Sequence, residues 1–283
     1  MMQLKSNRVT WLSRLTATGV LAVAAMGLTA SPVSAETTDV LARIKESGVI
    51  RVANTHASPP WSQLNAQNQP EGYDIDVAHE IAKRLGVKVS FVVDTYKNFV
   101  SSVNSDRYDV VISILTPTEE RKKQVDFSDA YLVSSLHAFV HTKNQDIKTQ
   151  ADMNGKRVGV SAGTTNEAWV RENIKNADIR TYNNALLAFS DLVNGRTDAA
   201  VYSYASGVKL ARESNLPVRP VGEPLKQDPG AVAFKKDQPA LKAAINKAIA
   251  DMIADGTMTR ISKKWLDGLD MSKSLTAYAA ERK

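Results

Sequence analysis

Along residues 36–283 two apolar spacings take turns. Short runs of apolar and β-branched residues, "GVIRVAN" at 48–54 and "GKRVGV" at 155–160, read as Gly-led buried strands. Between such runs, spacings of three and four predict amphipathic helices. Over 74–86, "DIDVAHEIAKRLG" places Ile75, Ala78, Ile81, Ala82 and Leu85 on one face, with Asp74 expected to cap the start and Gly86 the end. Residues 239–256 repeat the pattern with Leu241, Ile245, Ile249, Met252 and Ile253. Both stripes read as core packing. Helices alternating with buried strands predict an α/β protein with mainly parallel strands.

The order of signals occurs twice. After each Gly-led strand comes a second matched feature: "SDRYDVVIS" at 105–113 and "NGRTDAAVY" at 194–202 both set a polar turn, an Arg and an Asp before a buried strand. This predicts two similar α/β lobes in one chain. Each lobe also offers a helix start at the carboxyl end of a strand, where α/β sheets bind ligands. In "TPTEER" at 116–121, Thr116 is placed to cap, Pro117 to open the helix and Glu119 to complete a capping box. In "GVSAGTTNE" at 159–167, Thr164 and Glu167 repeat the T-x-x-E spacing. Two helix N-termini with Arg121 beside one of them suit a carboxylate.

The same stretch contains G-x-S-x-G, which fits the nucleophile elbow of a hydrolase around Ser161. That elbow needs its histidine later in the chain. All four histidines, at 56, 79, 137 and 141, precede Ser161, so an anion-holding helix start is the better reading.

Composition narrows the class. Lys5, Arg8 and Arg14, an apolar stretch over 15–30 and "PVSA" at 32–35 predict a secretory signal peptide over 1–35. The apolar run is too short for a membrane anchor. Without the leader, 33 basic residues face 30 acidic ones, with no polybasic run, so neither nucleic acid nor an anionic membrane surface is an expected partner. There is no cysteine and the histidines show no paired ligand spacing, so neither a metal nor a cofactor is expected. A freely soluble monomer in a bacterial periplasm is predicted.

With these features in place, the chain resembles the periplasmic solute-binding proteins of polar amino-acid ABC transporters, family 3. The resemblance rests on "SPPW" at 58–61, "GYDIDVAHEIAKRLG" at 72–86, "ISILTPTEERKKQVDFSDAY" at 112–131, "GKRVGVSAGTTNE" at 155–167, "NGRTDAA" at 194–200 and "INKAIADMIADGTMTRISKKW" at 245–265. It implies the two-lobed type II periplasmic binding protein fold, with a ligand cleft between lobes joined by two hinge crossings near Val133–Leu136 and Asp228–Ala231. Lobe 1 would comprise 36–135 and 230–283, and lobe 2 would comprise 136–229. The implied function is capture of a small carboxylated polar solute, an amino acid or a derivative, for delivery to an ABC permease in the inner membrane.

The resemblance also implies site roles. Arg121 would hold the ligand carboxylate, helped by the N–H groups of Thr116 and Thr165. The Ile114 carbonyl and the Thr116 hydroxyl would meet an amino group. Trp61 and Phe99 would flank the ligand side chain, and Ser58, Ser113, Ser161 and Thr164 complete the expected contacts. One position departs from the family. Where many amino-acid binders carry an aspartate for the ligand ammonium, this chain has Ser203. Either the ligand lacks that ammonium or another acid, such as Asp228, supplies the charge. A cyclohexadienyl-dehydratase-like enzyme on the same fold is the alternative function.

Overall fold

The structure, a computed structural model, describes residues 39–280; the signal peptide expected over 1–35 lies outside them. The chain begins with α1 (Val40–Ser47), β1 (Val49–Asn54), a two-stranded ribbon of β2 (Gln63–Leu64) and β3 (Pro70–Glu71), α2 (Tyr73–Leu85), β4 (Lys88–Val93), α3 (Phe99–Asn104), β5 (Val110–Val111) and α4 (Glu119–Lys122). A long strand, β6 (Asp126–His141), leads to β7 (Arg157–Ser161), α5 (Thr165–Asn173), β8 (Asp178–Tyr182), α6 (Ala185–Val193), β9 (Ala199–Ser203) and α7 (Tyr204–Glu213). A second long strand, β10 (Val218–Phe234), returns to α8 (Pro239–Ala254), α9 (Thr257–Trp265) and α10 (Met271–Ala280).

Eight strands form one sheet in the order β4-β1-β5-β10-β6-β9-β7-β8. At each end the pairing is parallel, β1 with β4 and β5, and β7 with β8 and β9. The middle is antiparallel, so the expectation of mainly parallel strands holds only at the two ends. The reason is topological: β6 and β10 run past each other, with Ser134 opposite Asp228 and Leu136 opposite Lys226.

Those two strands also divide the core. On one side Tyr131 and Leu132 pack with Trp61, Tyr73, Ile81 and Ile249, beside a second cluster around Phe99 and Tyr108. On the other side Leu136 and Val140 pack with Val158 and Val201, beside a cluster around Phe139 and Phe189. The Asp of each matched turn enters an ion pair, with the arginine of the opening strand rather than that of its own turn. Asp109 accepts from the Arg51 amide at 2.7 Å and pairs with its guanidinium at 2.7 Å. Asp198 does the same for Arg157, at 2.9 and 2.6 Å. In each half the Arg–Asp pair ties the opening strand to the strand beside it.

Two caps differ from expectation. Helix α2 begins after Gly72, and Asp74 lies inside its first turn with no exposure rather than capping it. The amides at this helix start go to backbone carbonyls, Tyr73 N–H to Pro60 at 3.0 Å and Asp74 N–H to Trp61 at 2.8 Å, and Gly72, with a φ of 135°, permits an approach that a Cβ 2.4 Å from the Trp61 carbonyl would block. Helix α4 is capped by Thr118, not Thr116, so Pro117 lies before the helix; the Thr118 hydroxyl accepts the Arg121 N–H at 3.2 Å. The Gly86 terminus is as expected, with left-handed backbone.

Candidate functional site

The cap foreseen at Thr164 forms. Its hydroxyl accepts the Glu167 N–H at 3.3 Å, while Glu167 Oε2 accepts the Gly163 N–H at 2.8 Å. The Thr164 hydroxyl also donates to the Ser161 carbonyl at 2.7 Å, which fixes the turn between β7 and α5. Thr164, Thr165 and Asn166 then face a cavity. Amides at such a helix start lack intrahelical acceptors and carry partial positive charge.

Across the cavity stands Arg121 on α4. Its guanidinium donates to the Thr116 and Gly163 carbonyls, both at 3.0 Å, and has no carboxylate within ion-pair distance among the described residues. Burial lowers its pKa, opposed by Tyr96, Glu120 and Asp228, yet an arginine stays charged at neutral pH. A half-buried cation thus faces a helix N-terminus.

Ile114, Thr116, Arg121, Thr164, Thr165 and Ser203 line this cavity of about 470 Å³. An adjoining cavity of about 370 Å³ shares Ile114, Thr164 and Ser203 and adds Ser58 and Ser161. The fold therefore brings together eight of the residues expected from sequence. Ser113 sits buried beside Ile114. Trp61 lies at the edge, its indole Nε1–H donating to Ser203 Oγ at 3.3 Å.

Phe99 does not take the expected place. It is fully buried in the cluster with Tyr108 and lines none of these cavities; the aromatic that faces them is Tyr96. The two rings meet edge to face at 5.4 Å, so Phe99 backs Tyr96. Burial raises the Tyr96 pKa to about 12, with Asp74 adding to the rise and Ser58, Ser113 and Arg121 opposing it, so the phenol stays neutral. Sequence reasoning also missed Asn166, Tyr202 and Ser206. Position could have suggested Asn166, one residue into a recognised helix start, and Tyr202, next to Ser203; nothing marked Tyr96 over Phe99.

The side chains are neutral except at two points. Asp228 is the single carboxylate lining either cavity, and it is bonded to Thr165 Oγ1 at 3.2 Å and Lys226 at 2.8 Å. Ser161 Oγ donates to the Tyr202 hydroxyl at 3.1 Å, and no histidine lines either cavity, which removes the hydrolase reading. Among the described residues no cluster of His, Asp or Glu could hold a metal ion.

Ile114 has a left-handed φ of 48°, an unusual state for a β-branched residue. Its N–H donates to the Tyr131 hydroxyl at 3.2 Å, and that hydroxyl donates to Asp74 Oδ1 at 2.9 Å. Burial raises the Asp74 pKa to about 8; Tyr131 and the nearby Ile114 N–H offset part of the rise.

The sequence pattern of the bacterial extracellular solute-binding proteins, family 3, matches residues 50–268, most of the chain. The chain belongs to this family. Its relatives in family 3 include the L-cystine-binding protein of Escherichia coli (strain K12), 35% identical over 264 residues, covering 93% of this chain and 98% of that one. The histidine-binding periplasmic protein of Salmonella typhimurium (strain LT2) is 33% identical and covers 77% of this chain and 87% of its own length. Among solved structures, an ancestral arginine-binding protein bound to arginine superposes with a TM-score of 0.73 at 37% identity, covering 77% of this chain and 98% of that one. An ancestral amino acid-binding protein, a precursor of cyclohexadienyl dehydratase, gives 0.75 at 34%, covering 80% and 99%. These relatives establish the two-lobed type II architecture and the role of solute capture for ABC import.

Proposed function

We propose that this family 3 protein is a periplasmic monomer that captures an α-amino acid with a neutral polar side chain and hands it to an inner-membrane ABC permease. Its lobes are 36–135 with 230–283, and 136–229, closing by rotation at Val133–Leu136 and Asp228–Ala231. The observation that carries the reading is Arg121: a half-buried guanidinium without an ionic partner among the described residues, facing the start of α5. The ligand carboxylate completes that charge, with the Thr116 and Thr165 amides beside it. The ammonium lies against the Ile114 carbonyl and the Thr116 hydroxyl, and Asp228 supplies the counter-charge in place of the aspartate that Ser203 replaces.

The side-chain end explains the neutral preference. Ser58, Ser161, Asn166, Tyr202 and Ser206 offer hydroxyl and amide groups and no second carboxylate, so a cationic side chain would go without an ion-pair partner. The relatives' cystine, histidine and arginine specificities supply the panel. A thermal-shift screen with L-cystine, L-glutamine, L-histidine and L-arginine tests the reading. L-Glutamine, whose side chain is neutral, should raise the melting temperature more than arginine does, because ligand bound only to the native state stabilises it by about 2.7 kcal/mol at a hundredfold excess over Kd. A largest shift with arginine would overturn the neutral preference.

A dehydratase would need a cleft acid poised to protonate a leaving group. The carboxyl held near neutrality is Asp74, sealed behind Ile114 and Tyr131, while Asp228 is already paired with Lys226. No turnover of prephenate or arogenate is expected.

A further inference from the structure

Asp74 is a carboxyl the binding reading does not use, although it costs the fold something to keep. It has no exposure, pairs with no lysine or arginine among the described residues, and leaves Oδ2 buried without a hydrogen-bond partner. Packing alone would be served better by an apolar side chain. Its contacts lead to the cleft. Tyr131 Oη, itself fully buried, donates to Asp74 Oδ1 at 2.9 Å and accepts the Ile114 N–H at 3.2 Å. The Asp74 N–H donates to the Trp61 carbonyl at 2.8 Å, so α2 grips the opposite edge of the cleft as well. Tyr73 Oη donates to the Tyr131 carbonyl at 2.7 Å and the two rings stack at 6.2 Å, which fixes where the Tyr131 hydroxyl sits.

What this strut holds is unusual. Ile114 is β-branched, yet its φ is 48°, a conformation that reverts unless its surroundings hold it. We propose that Asp74 and Tyr131 are positioning residues that lock the Ile114 backbone so that its carbonyl meets the ligand's amino group, making the cleft selective for amines over carboxylates alone. This rests on the amino-acid reading above. Tyr131 spans the gap because its hydroxyl can accept from the amide and donate to the acid at once. Asp74 supplies the acceptor that sets the direction of the hydroxyl hydrogen. With the direction set, the lone pair of Tyr131 Oη faces Ile114.

Two measurements test the strut. The first compares L-cystine with dithiodipropionate, the same molecule without its amino groups, by calorimetry on the full mature protein. Tyr131→Phe should weaken L-cystine about tenfold, as expected for loss of a buried hydrogen bond, and change the des-amino compound by less than about twofold. Asp74→Ala should reproduce that loss, and Asp74→Asn, which keeps an acceptor for Tyr131, should stay within about threefold of the wild type for both compounds. Equal losses for the two compounds in Tyr131→Phe, or an Asp74→Asn as impaired as Asp74→Ala, would overturn the proposal. Should Asp74→Ala fail to fold, the conservative Tyr131→Phe decides alone. The second measurement needs no ligand: hydrogen exchange at the Ile114 amide should quicken at least about tenfold in Tyr131→Phe. Unchanged exchange would show that the strut does not hold Ile114. Failure of the wild type to bind any amino acid would instead strike the binding reading, and the exchange result would still judge the strut.

Discussion

Trp61, from the core around Tyr131, and Ser203, at the end of β9, meet over the cleft, where the indole N–H donates to the serine hydroxyl at 3.3 Å. Ser203 also caps α7 and lines both cavities. An aspartate is as good a cap and as good an acceptor for the indole. Ser203→Asp should therefore fold normally while adding a negative charge beside the ligand amino group. Calorimetry should show an L-amino acid ligand tightened about tenfold and its des-amino analogue weakened. Tightening of both compounds would mean that the added charge does not read the ammonium.

Arg121 is held by carbonyls rather than by carboxylates, so its charge is available to a ligand. Arg121→Ala should leave the circular-dichroism spectrum and the cooperative unfolding of the free protein intact. It should weaken the best amino-acid ligand at least about a hundredfold, roughly 3–5 kcal/mol for stranding an enclosed carboxylate. Arg121→Lys should recover only part of this, because a lysine lacks the planar fork. Near-normal affinity in the alanine variant would exclude Arg121 as the carboxylate site.

Gly163 accepts the Arg121 bond and stands against Lys97 on the far wall. Its φ is 74°, and a Cβ there would come within 3.0 Å of Lys97 Cγ and 3.2 Å of the Lys97 nitrogen. Gly163→Ala should cost about 1 kcal/mol of stability and block the close approach of the two walls. The expected result is at least about a fivefold loss of affinity by calorimetry, with a ligand-bound scattering profile more open than that of the wild type. Unchanged affinity would show that binding does not require this approach.

Asp74 gives the stability curve a testable slope. The unfolded chain releases this proton near the ordinary carboxylate value of about 4, whereas the folded chain keeps it until about pH 8. Between those limits the native state binds the extra proton, so the contribution is fully present below the lower value and is lost as pH rises through the upper one. Asp74→Asn should flatten that fall, gaining on the wild type by on the order of a few kcal/mol across the window, read from melting temperatures between pH 4 and pH 8. Carboxylates held below their ordinary values, Asp94, Asp198 and Asp255, titrate in both proteins and cancel in the difference. Parallel curves for the two proteins would mean that Asp74 is charged in the native state.

Much of this protein follows from local rules acting on neighbouring residues. The aspartates of the repeated turns, Asp109 and Asp198, were visible as a repeated signal, and each pairs with the arginine of its opening strand, Arg51 and Arg157, while the turn arginines Arg107 and Arg196 pair instead with Asp94 and Asp191. Thr164 and Glu167 were placed by spacing alone, because a helix start satisfies its donors within four residues. Arg121 was legible because the short segment after a buried strand delivers it to the strand's carboxyl end, whereas Ile114 and Thr116 were placed at the ligand only by the family resemblance.

Tertiary structure settled what depends on residues far apart in the chain. Asp74 reads as a cap by its spacing, yet the helix begins at Tyr73 with the Asp74 N–H bonded to the Trp61 carbonyl, so the acid enters the core and reaches Tyr131, 57 residues away. Tyr96 and Phe99 lie three residues apart and are both aromatic; Phe99 packs into the buried cluster with Val103 and Tyr108, and Tyr96 is the one left facing the cleft. The long strands β6 and β10 carry antiparallel pairing because each passes the other between the two cores, a relation no local pattern encodes. Sequence spacing determined most of the elements, the cap at Thr164 and the charge that faces a ligand; packing across the chain decided where α2 and α4 begin, which side chains reach the cleft and what holds Ile114 in place.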